Sequence, residues 1–265
     1  MDKNRFQKIP LSKGEMNVYD FGGIKLHAYK TNDYIDDEVF IVEKDGQAVV
    51  LEAPCFFDNE SELEEYLQDN GLTVSGLLLA YHMAGGSLLP GVRVYATRNA
   101  DEYGHSGGGR KLIDQFTHAF GAAFDSTIFA VTDYIEKGKV TIGGIDFQIT
   151  VTDEAYDIEI PEINAVYTHM LGHDCHSIVA GAGHADAIIR QLQGYIQKGV
   201  DLVLTSHYTP EDLKDVEAKI AYLEELKAIA AKTGSAEEFK AACRRKYPDY
   251  SGDNYLDMTA GFFFA

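Results

Sequence analysis

Three histidines occupy the same kind of place in the sequence, just after a short apolar run. His82 follows Leu-Leu-Leu-Ala-Tyr, His169 follows Ala-Val-Tyr-Thr, and His207 follows Leu-Val-Leu-Thr-Ser. Short apolar runs without alternation are typical of strands buried on both faces. Because strand ends in a layered α/β domain meet at one edge of the sheet, we expect the three imidazoles to lie close together. They could hold one Zn²⁺ with an open fourth position, or each could simply cap its strand by hydrogen bonding.

A denser group of candidate ligands lies a few residues beyond the second of these histidines. His173, Asp174, Cys175 and His176 follow one another directly, and all are metal-ligand types. Their spacing matches no zinc-finger pattern. His173, Asp174 and His176 are therefore additional candidate ligands, and the alternative is a Cys175 nucleophile with a neighbouring histidine as its base.

Turn residues and periodicity indicate the elements that must position these side chains. An Asp-Gly turn between apolar runs predicts a β-hairpin over 39–51, and a Gly-Gly turn predicts another over 139–149. Apolar residues three and four apart predict helices over 58–69, 111–124, 184–198 and 213–229. The glycine-rich stretch 105–110 is predicted to be a mobile connection.

The chain shows no linker, repeat or low-complexity segment. We therefore predict one α/β domain over residues 1–265, with C-terminal helices and an aromatic tail (211–265) packed on it. A tail ending in three phenylalanines would otherwise leave a large apolar surface exposed. The tail, the long helix before it, and Phe116 with Phe120 are candidate surfaces for a homodimer.

The composition disfavours several classes of partner. Among 265 residues, 42 acidic side chains face 23 basic ones, which gives a net charge of −19. Nucleic acids and anionic membranes bind basic surfaces, so we expect neither as a partner and favour a small-molecule substrate or ligand. Three cysteines without a Cys-x-x-Cys pair, no signal-like N-terminus and no apolar run near the roughly 20 residues of a membrane span predict a cytoplasmic protein.

The ordered features of the sequence resemble the metallo-β-lactamase superfamily. The matching features are a hairpin that ends in Leu51-Glu52-Ala53, a strand that runs into His82 before Gly85-Gly86, and later Tyr-Thr-His and Thr-Ser-His strand ends. The resemblance extends over roughly residues 15–232. It implies an α/β fold, a four-layer αββα sandwich of two similar halves, and a metal-dependent hydrolase.

The sequence departs from that superfamily where the metal ligands are expected. A His-x-His-x-Asp-His loop supplies most ligands of the superfamily's two-metal centre, and here the corresponding loop keeps only His82. His169 stands where a bridging aspartate is expected, and His207 keeps the position of the last ligand. The resemblance therefore implies at most a mononuclear centre on these three histidines, with Zn²⁺ favoured over iron or nickel. Asp153 and Asp157 are additional candidate carboxylate ligands.

Three functions are compatible with these residues. The first is a hydrolase of a small ester, lactone, amide or thioester that uses the altered mononuclear site. The second is a metal-free protein that binds a ligand or partner in the remaining cleft. The third is an Fe²⁺-dependent redox enzyme, supported only by the 173–176 cluster. Tyr81, Met83 and Tyr208 are candidate substrate-binding residues, with core packing as the alternative.

Overall fold

The computed structural model of the chain describes residues 2–169 and 172–264. The strands are β1 (Gln7–Pro10), β2 (Glu15–Asp20), β3 (Lys25–Lys30), β4 (Glu38–Lys44), β5 (Gln47–Leu51), β6 (Thr73–Leu78), β7 (Val94–Ala96), β8 (Asp133–Tyr134), β9 (Gly138–Ile142), β10 (Ile145–Val151), β11 (Tyr156–Ile160), β12 (Ala165–Thr168), β13 (Leu202–Thr205) and β14 (Tyr208–Glu211). The α-helices are α1 (Phe57–Asp69), α2 (Arg98–His105), α3 (Gly108–Phe120), α4 (Ala182–Lys198), α5 (Leu213–Ala230), α6 (Ala236–Lys246) and α7 (Asp253–Phe263). The two sheets with their helices agree with the predicted α/β class.

The first sheet has eight strands in the order β1 to β8. Strands β1 to β5 form an antiparallel meander, and β5 to β8 run parallel. The hairpin predicted over 39–51 is confirmed as β4 and β5, which turn at Asp45 and Gly46 with φ of 51° and 76°. Two-residue hairpins need this left-handed backbone, which Asp-Gly adopts readily. Helix α1 packs on the sheet, where the Tyr66 hydroxyl lies 2.7 Å from Nδ1 of His27 in β3.

The second sheet has six strands in the order β14-β13-β12-β11-β10-β9. The hairpin predicted over 139–149 is confirmed as β9 and β10. Its turn is formed by Gly143 and Gly144, with φ of 58° and 77°.

Buried aromatic residues join the two sheets. The Tyr156 hydroxyl in β11 donates to the carbonyl of Leu79, just after β6, over 2.7 Å. The ring of Phe40 in β4 packs on that of Tyr167 in β12, with 6.2 Å between centroids. All four side chains are fully buried. The strand ends that carry the candidate histidines therefore extend from a rigid, tightly packed core.

The connection predicted over 105–110 is shorter than expected, because most of these residues lie in helices. Helices α2 and α3 are separated only by Ser106 and Gly107. A Cβ added at Gly107 would lie 2.8 Å from Cα of Tyr103, so glycine is needed here for the close approach of two helices. Helix α3 begins and ends earlier than the helix predicted over 111–124. It ends at Phe120 because Gly121 leaves helical geometry with φ of 57°.

The chain divides into two compact units. Among the described residues, the first unit contains 2–169 and 204–210, and the second contains 172–203 and 211–264. The single domain expected over 1–265 stays a prediction. No helix in the described ranges is both long and apolar enough to cross a membrane.

The second unit is helical and is organised by caps and aromatic contacts. Helix α5 begins with a capping box in which the side chains of Asp212 and Asp215 each accept a hydrogen bond from the other residue's backbone N–H. In the tail, the Phe263 ring stacks on Phe239 of α6 at 5.6 Å between centroids. Phe262 remains 52% exposed, so the aromatic tail is only partly covered within this unit.

Candidate metal centre

A buried carboxylate holds the segment that carries His82. Glu52 follows β5 with a left-handed φ of 61°, and its side chain is fully buried. Its two oxygens accept hydrogen bonds from the backbone N–H groups of Tyr81 and His82, each at 2.9 Å, and from that of Ala80 at 3.3 Å. Three backbone donors on one carboxylate fix the direction in which the chain leaves β6. His82 therefore projects from a rigid turn.

The same carboxylate is connected to the segments that carry the other two histidines. The Tyr167 hydroxyl donates to Glu52 over 2.5 Å, and it lies 2.5 Å from the Ser206 hydroxyl. Tyr167 lies two residues before His169, and Ser206 directly precedes His207. Burial, followed by the charge of Glu52, raises the pKa of Tyr167 well above its ordinary value, so the phenol stays protonated and can donate. One hydrogen-bond chain therefore positions all three histidine segments.

The three imidazoles meet, as their positions after the strands predict. Nε2 of His82 lies 3.3 Å from Nε2 of His169. The ring centroids of His82, His169 and His207 are 5.0–5.3 Å apart, and one ligand atom from each lies within 4.8 Å of the others. A tetrahedral zinc ion with Zn–N bonds of about 2.0–2.1 Å separates its ligand nitrogens by about 3.3–3.4 Å. The His82–His169 pair already has this separation.

The protonation of the rings suits metal ligation. Burial lowers the pKa of His82 well below its ordinary value, and repulsion from the other two rings adds to this effect. Burial likewise lowers the pKa of His169 to about 3 and that of His207 to about 4. His169 is exposed when the whole residue is considered, but Tyr81 stacks on its ring at 4.5 Å between centroids, and the rings of His82 and His207 also contact it. All three rings are therefore neutral near pH 7, the state in which imidazole binds metals.

Backbone geometry selects the ligating nitrogen of His207. Its Nδ1 lies 3.2 Å from the carbonyl oxygen of Ile35, which can only accept a hydrogen bond. Nδ1 therefore carries the proton, and Nε2 keeps the free electron pair that a metal needs. The Ile35 carbonyl is a site feature that sequence reasoning missed, because backbone groups leave no signal in residue types.

The 173–176 cluster does not gather around one point. His173 instead meets two residues that were not predicted: its Nδ1 lies 2.9 Å from Oε1 of Glu211 and 3.4 Å from Oδ1 of Asp215. Glu211 also accepts the backbone N–H of His173 at 2.7 Å, and the hydrogen bond to Glu211 raises the pKa of the imidazole. The ligand atoms of His173, Glu211 and Asp215 also lie close enough together to hold a metal ion, although they already form an ion pair.

The other members of that cluster point elsewhere. His176 is buried, with Nδ1 3.0 Å from the Tyr222 hydroxyl, and the Cys175 thiol is buried and donates to the carbonyl of His176. Asp174 belongs to neither of the metal-ligand groups found among the described residues. Successive residues of a loop project in different directions, which is why closeness in sequence does not bring these side chains together here.

The remaining candidate residues differ in position and burial. Asp153 lies in the turn between β10 and β11 and Asp157 is the second residue of β11, and neither belongs to a metal-ligand group within the described ranges. Burial raises the pKa of Asp157 to about 6. Met83 is 1% exposed and packs against Gly104, which places it in the core rather than on a substrate surface. Tyr208, at the start of β14, is half-buried.

The chain has the metallo-β-lactamase fold, as comparison with solved structures shows. Similar structures include the inverting sec-alkylsulfatase Pisa1 from Pseudomonas sp. (TM-score 0.66, 14% identity, covering 93% of this chain and 49% of the sulfatase). A metallo-β-lactamase family protein from Thermus thermophilus is also similar (TM-score 0.63, 13% identity, 91% of each chain). So is a metallo-β-lactamase from Erythrobacter litoralis (TM-score 0.59, 12% identity, 83% of this chain and all of that one).

These similarities confirm the fold expected from the resemblance. The chain spans about half the length of the alkylsulfatase structures that it matches. No protein-family profile matches the sequence. No curated protein matches it significantly either. At 12–15% identity, the structural similarity establishes the fold, and the chemistry has to be argued from the site.

Proposed function

We propose that this chain is a metal-dependent hydrolase of a small ester, lactone, amide or thioester. Its centre would be one ion held by His82, His169 and His207. The observation that carries the proposal is the convergence of three neutral imidazoles from three strand ends, with 3.3 Å between the nearest nitrogens. Three nitrogen donors favour Zn²⁺, or less strongly iron or nickel, over Mg²⁺.

The residues around the triad fit this role. When bound, Zn²⁺ would supply Lewis-acid polarisation and would lower the pKa of a coordinated water. His82 and His207 are half-buried and His169 is exposed, so a small molecule can reach the triad. Burial raises the pKa of Tyr81, so its phenol, 3.4 Å from the Thr152 hydroxyl, stays protonated and can donate a hydrogen bond to a substrate oxygen.

The comparisons and the charge of the chain support the substrate class. Structures of the same fold include proteins named as an alkylsulfatase and as metallo-β-lactamases. The net charge of −19 disfavours nucleic acid as a substrate. A small molecule is therefore the proposed substrate, and the homodimer and the cytoplasmic location stay predictions.

Metal analysis of the purified chain tests the proposal. We expect about one zinc per chain after reconstitution, and loss of that ion in His82→Ala and His207→Ala. The matched control is His118→Ala, which removes an exposed histidine from α3 and should leave the stoichiometry unchanged. A wild-type chain without stoichiometric metal would show that the 3.3 Å contact is only an imidazole–imidazole hydrogen bond.

One observation favours the metal-free alternative. Within the described residues, no carboxylate joins the three histidines, so the centre would have fewer protein ligands than the superfamily's two-metal sites. If the chain binds no metal, yet a small-molecule screen by thermal shift finds a ligand whose effect is lost in His169→Ala, the cleft is a binding site without metal chemistry. For the iron-dependent redox role, His173 and His176 lie in separate hydrogen-bonded groups and cannot act as one ligand cluster. Iron analysis of the protein as isolated would test it directly.

A further inference from the structure

A single buried carboxylate faces two of the three histidines from the side opposite their ligating nitrogens. Asp37 directly precedes β4 and is completely buried. Its Oδ1 lies 3.3 Å from Nδ1 of His207 and 3.6 Å from Nδ1 of His82. Sequence reasoning did not single out this residue, which stands in an acidic stretch that would ordinarily be assigned to the surface.

The loop before β4 holds Asp37 firmly in this place. The Asp37 carbonyl accepts hydrogen bonds from the backbone N–H and the hydroxyl of Thr31, at 3.1 and 2.7 Å. Its own N–H donates to the Asp33 carboxylate over 3.2 Å. The second carboxylate oxygen, Oδ2, lies 3.5 Å from the Cys55 thiol. Only Oδ1 is directed to the histidines.

Two buried polar atoms at this contact lack a hydrogen bond. Among the described residues, Asp37 Oδ1 and His82 Nδ1 have no hydrogen-bond partner, although they lie only 3.6 Å apart. Buried polar groups are rarely left unpaired without a functional reason. A small rotation of the His82 ring would bring the two atoms into hydrogen-bond range.

We propose that Asp37 is a positioning residue that holds the proton of His82 on Nδ1, as the Ile35 carbonyl does for His207. Nε2 of each ring then keeps its electron pair for a metal ion. Carboxylates that accept from the second nitrogen of ligating histidines fix the tautomer and strengthen metal binding in many metal sites. Here one carboxylate faces two rings, and its negative charge would offset the positive charge of a bound cation.

The competing arrangement is a neutral carboxylic acid. Burial raises the pKa of Asp37 well above its ordinary value, and a protonated Asp37 would donate to Nδ1 instead of accepting from it. Such a donor would place the His82 proton on Nε2, the wrong nitrogen for ligation, whereas the Ile35 carbonyl would still hold the His207 proton on Nδ1. The two arrangements therefore predict opposite tautomers for His82.

Long-range ¹H–¹⁵N NMR of the histidine side chains in the full, metal-free chain distinguishes them. We expect His82 and His207 as Nδ1–H tautomers at pH 7, and in Asp37→Asn we expect loss of that preference for His82 while His207 keeps it through the Ile35 carbonyl. The matched control is Asp36→Asn, the same change on the adjacent exposed residue, which should leave both tautomers unchanged. An Nε2–H tautomer of His82 in the unaltered chain would overturn the proposal, and this arm holds even if Asp37→Asn does not fold.

Zinc titration extends the test to the metal, and this arm rests on the proposed function. We expect Asp37→Asn to lower zinc affinity about 10–100-fold without changing the stoichiometry. Equal affinity in wild type, Asp36→Asn and Asp37→Asn would refute the positioning role. If the wild type bound no zinc while its tautomers were as expected, the proposed hydrolase would fail and the role of Asp37 in setting the His82 tautomer would stand.

Discussion

The Tyr167 hydroxyl donates a hydrogen bond to the buried carboxylate of Glu52, with 2.5 Å between the two oxygens. Tyr167 lies in β12 of the six-stranded sheet, whereas Glu52 follows β5 of the eight-stranded sheet. Because Glu52 also accepts the backbone N–H of His82, this bond connects the packing of the two sheets to the position of a candidate ligand. Buried networks of this kind specify one arrangement strongly when every member is paired.

Tyr167→Phe should lower the free energy of unfolding by about 1–3 kcal/mol, because it removes the phenol between Glu52 and Ser206. Urea denaturation measures the change. The control is Tyr134→Phe, since Tyr134 is exposed and its hydroxyl donates to the Asp101 carboxylate at the surface over 2.6 Å. That change should stay within about 0.5 kcal/mol. Equal losses in the two variants would show that the buried hydrogen bond contributes no more to the free energy of unfolding than the surface bond does.

Zinc should stabilise the chain by mass action if the proposed centre is correct. At a free zinc concentration of 100 times the Kd, the expected gain is about 2.7 kcal/mol, and a chelator should reverse it. His169→Ala should abolish the gain, whereas His118→Ala should retain it. Thermal unfolding with and without zinc measures both. The same zinc response in the two variants would place the ion elsewhere.

Glu38→Gln should change how stability depends on pH. Burial raises the pKa of Glu38 from 4.5 to about 8, so its contribution to stability is complete below pH 4.5 and is lost as the pH rises through 8. The neutral amide has no such loss, so from pH 5 to 7.5 the variant should gain roughly 2–3 kcal/mol relative to wild type. Denaturation series at several pH values measure this, with the exposed Glu136→Gln as control. A pH-independent difference would contradict a buried, protonated Glu38.

Gly107→Ala should destabilise the chain by about 1–3 kcal/mol, because the added Cβ would lie 2.8 Å from the backbone of Tyr103 between α2 and α3. The control is Gly194→Ala in α4, where nothing lies within 4 Å of the added carbon. There the higher helix propensity of alanine should raise stability by about 0.5–1 kcal/mol. Chemical denaturation measures both changes. A stabilising Gly107→Ala would contradict the expected clash and would mean that the connection can shift to make room for the added Cβ.

Local patterns in the sequence determined much of the fold. Asp45-Gly46 and Gly143-Gly144 specify hairpins because few other residues adopt positive φ easily, and the apolar runs specify buried strands. The order of these elements was sufficient to indicate the metallo-β-lactamase fold. The meeting of His82, His169 and His207 could also be predicted, because strand ends share one edge of a layered domain.

The tertiary structure alone decided which polar groups surround those histidines. Asp37 lies 170 residues from His207 in sequence, and Tyr167 lies 115 residues from Glu52, yet each pair is in contact. His173 finds its partner Glu211 38 residues away, while His176, only three residues from His173, turns to Tyr222. Residue types and spacing show which side chains can act as ligands or bases. Which of them are buried and paired depends on long-range packing, and burial and pairing set their charge and tautomer.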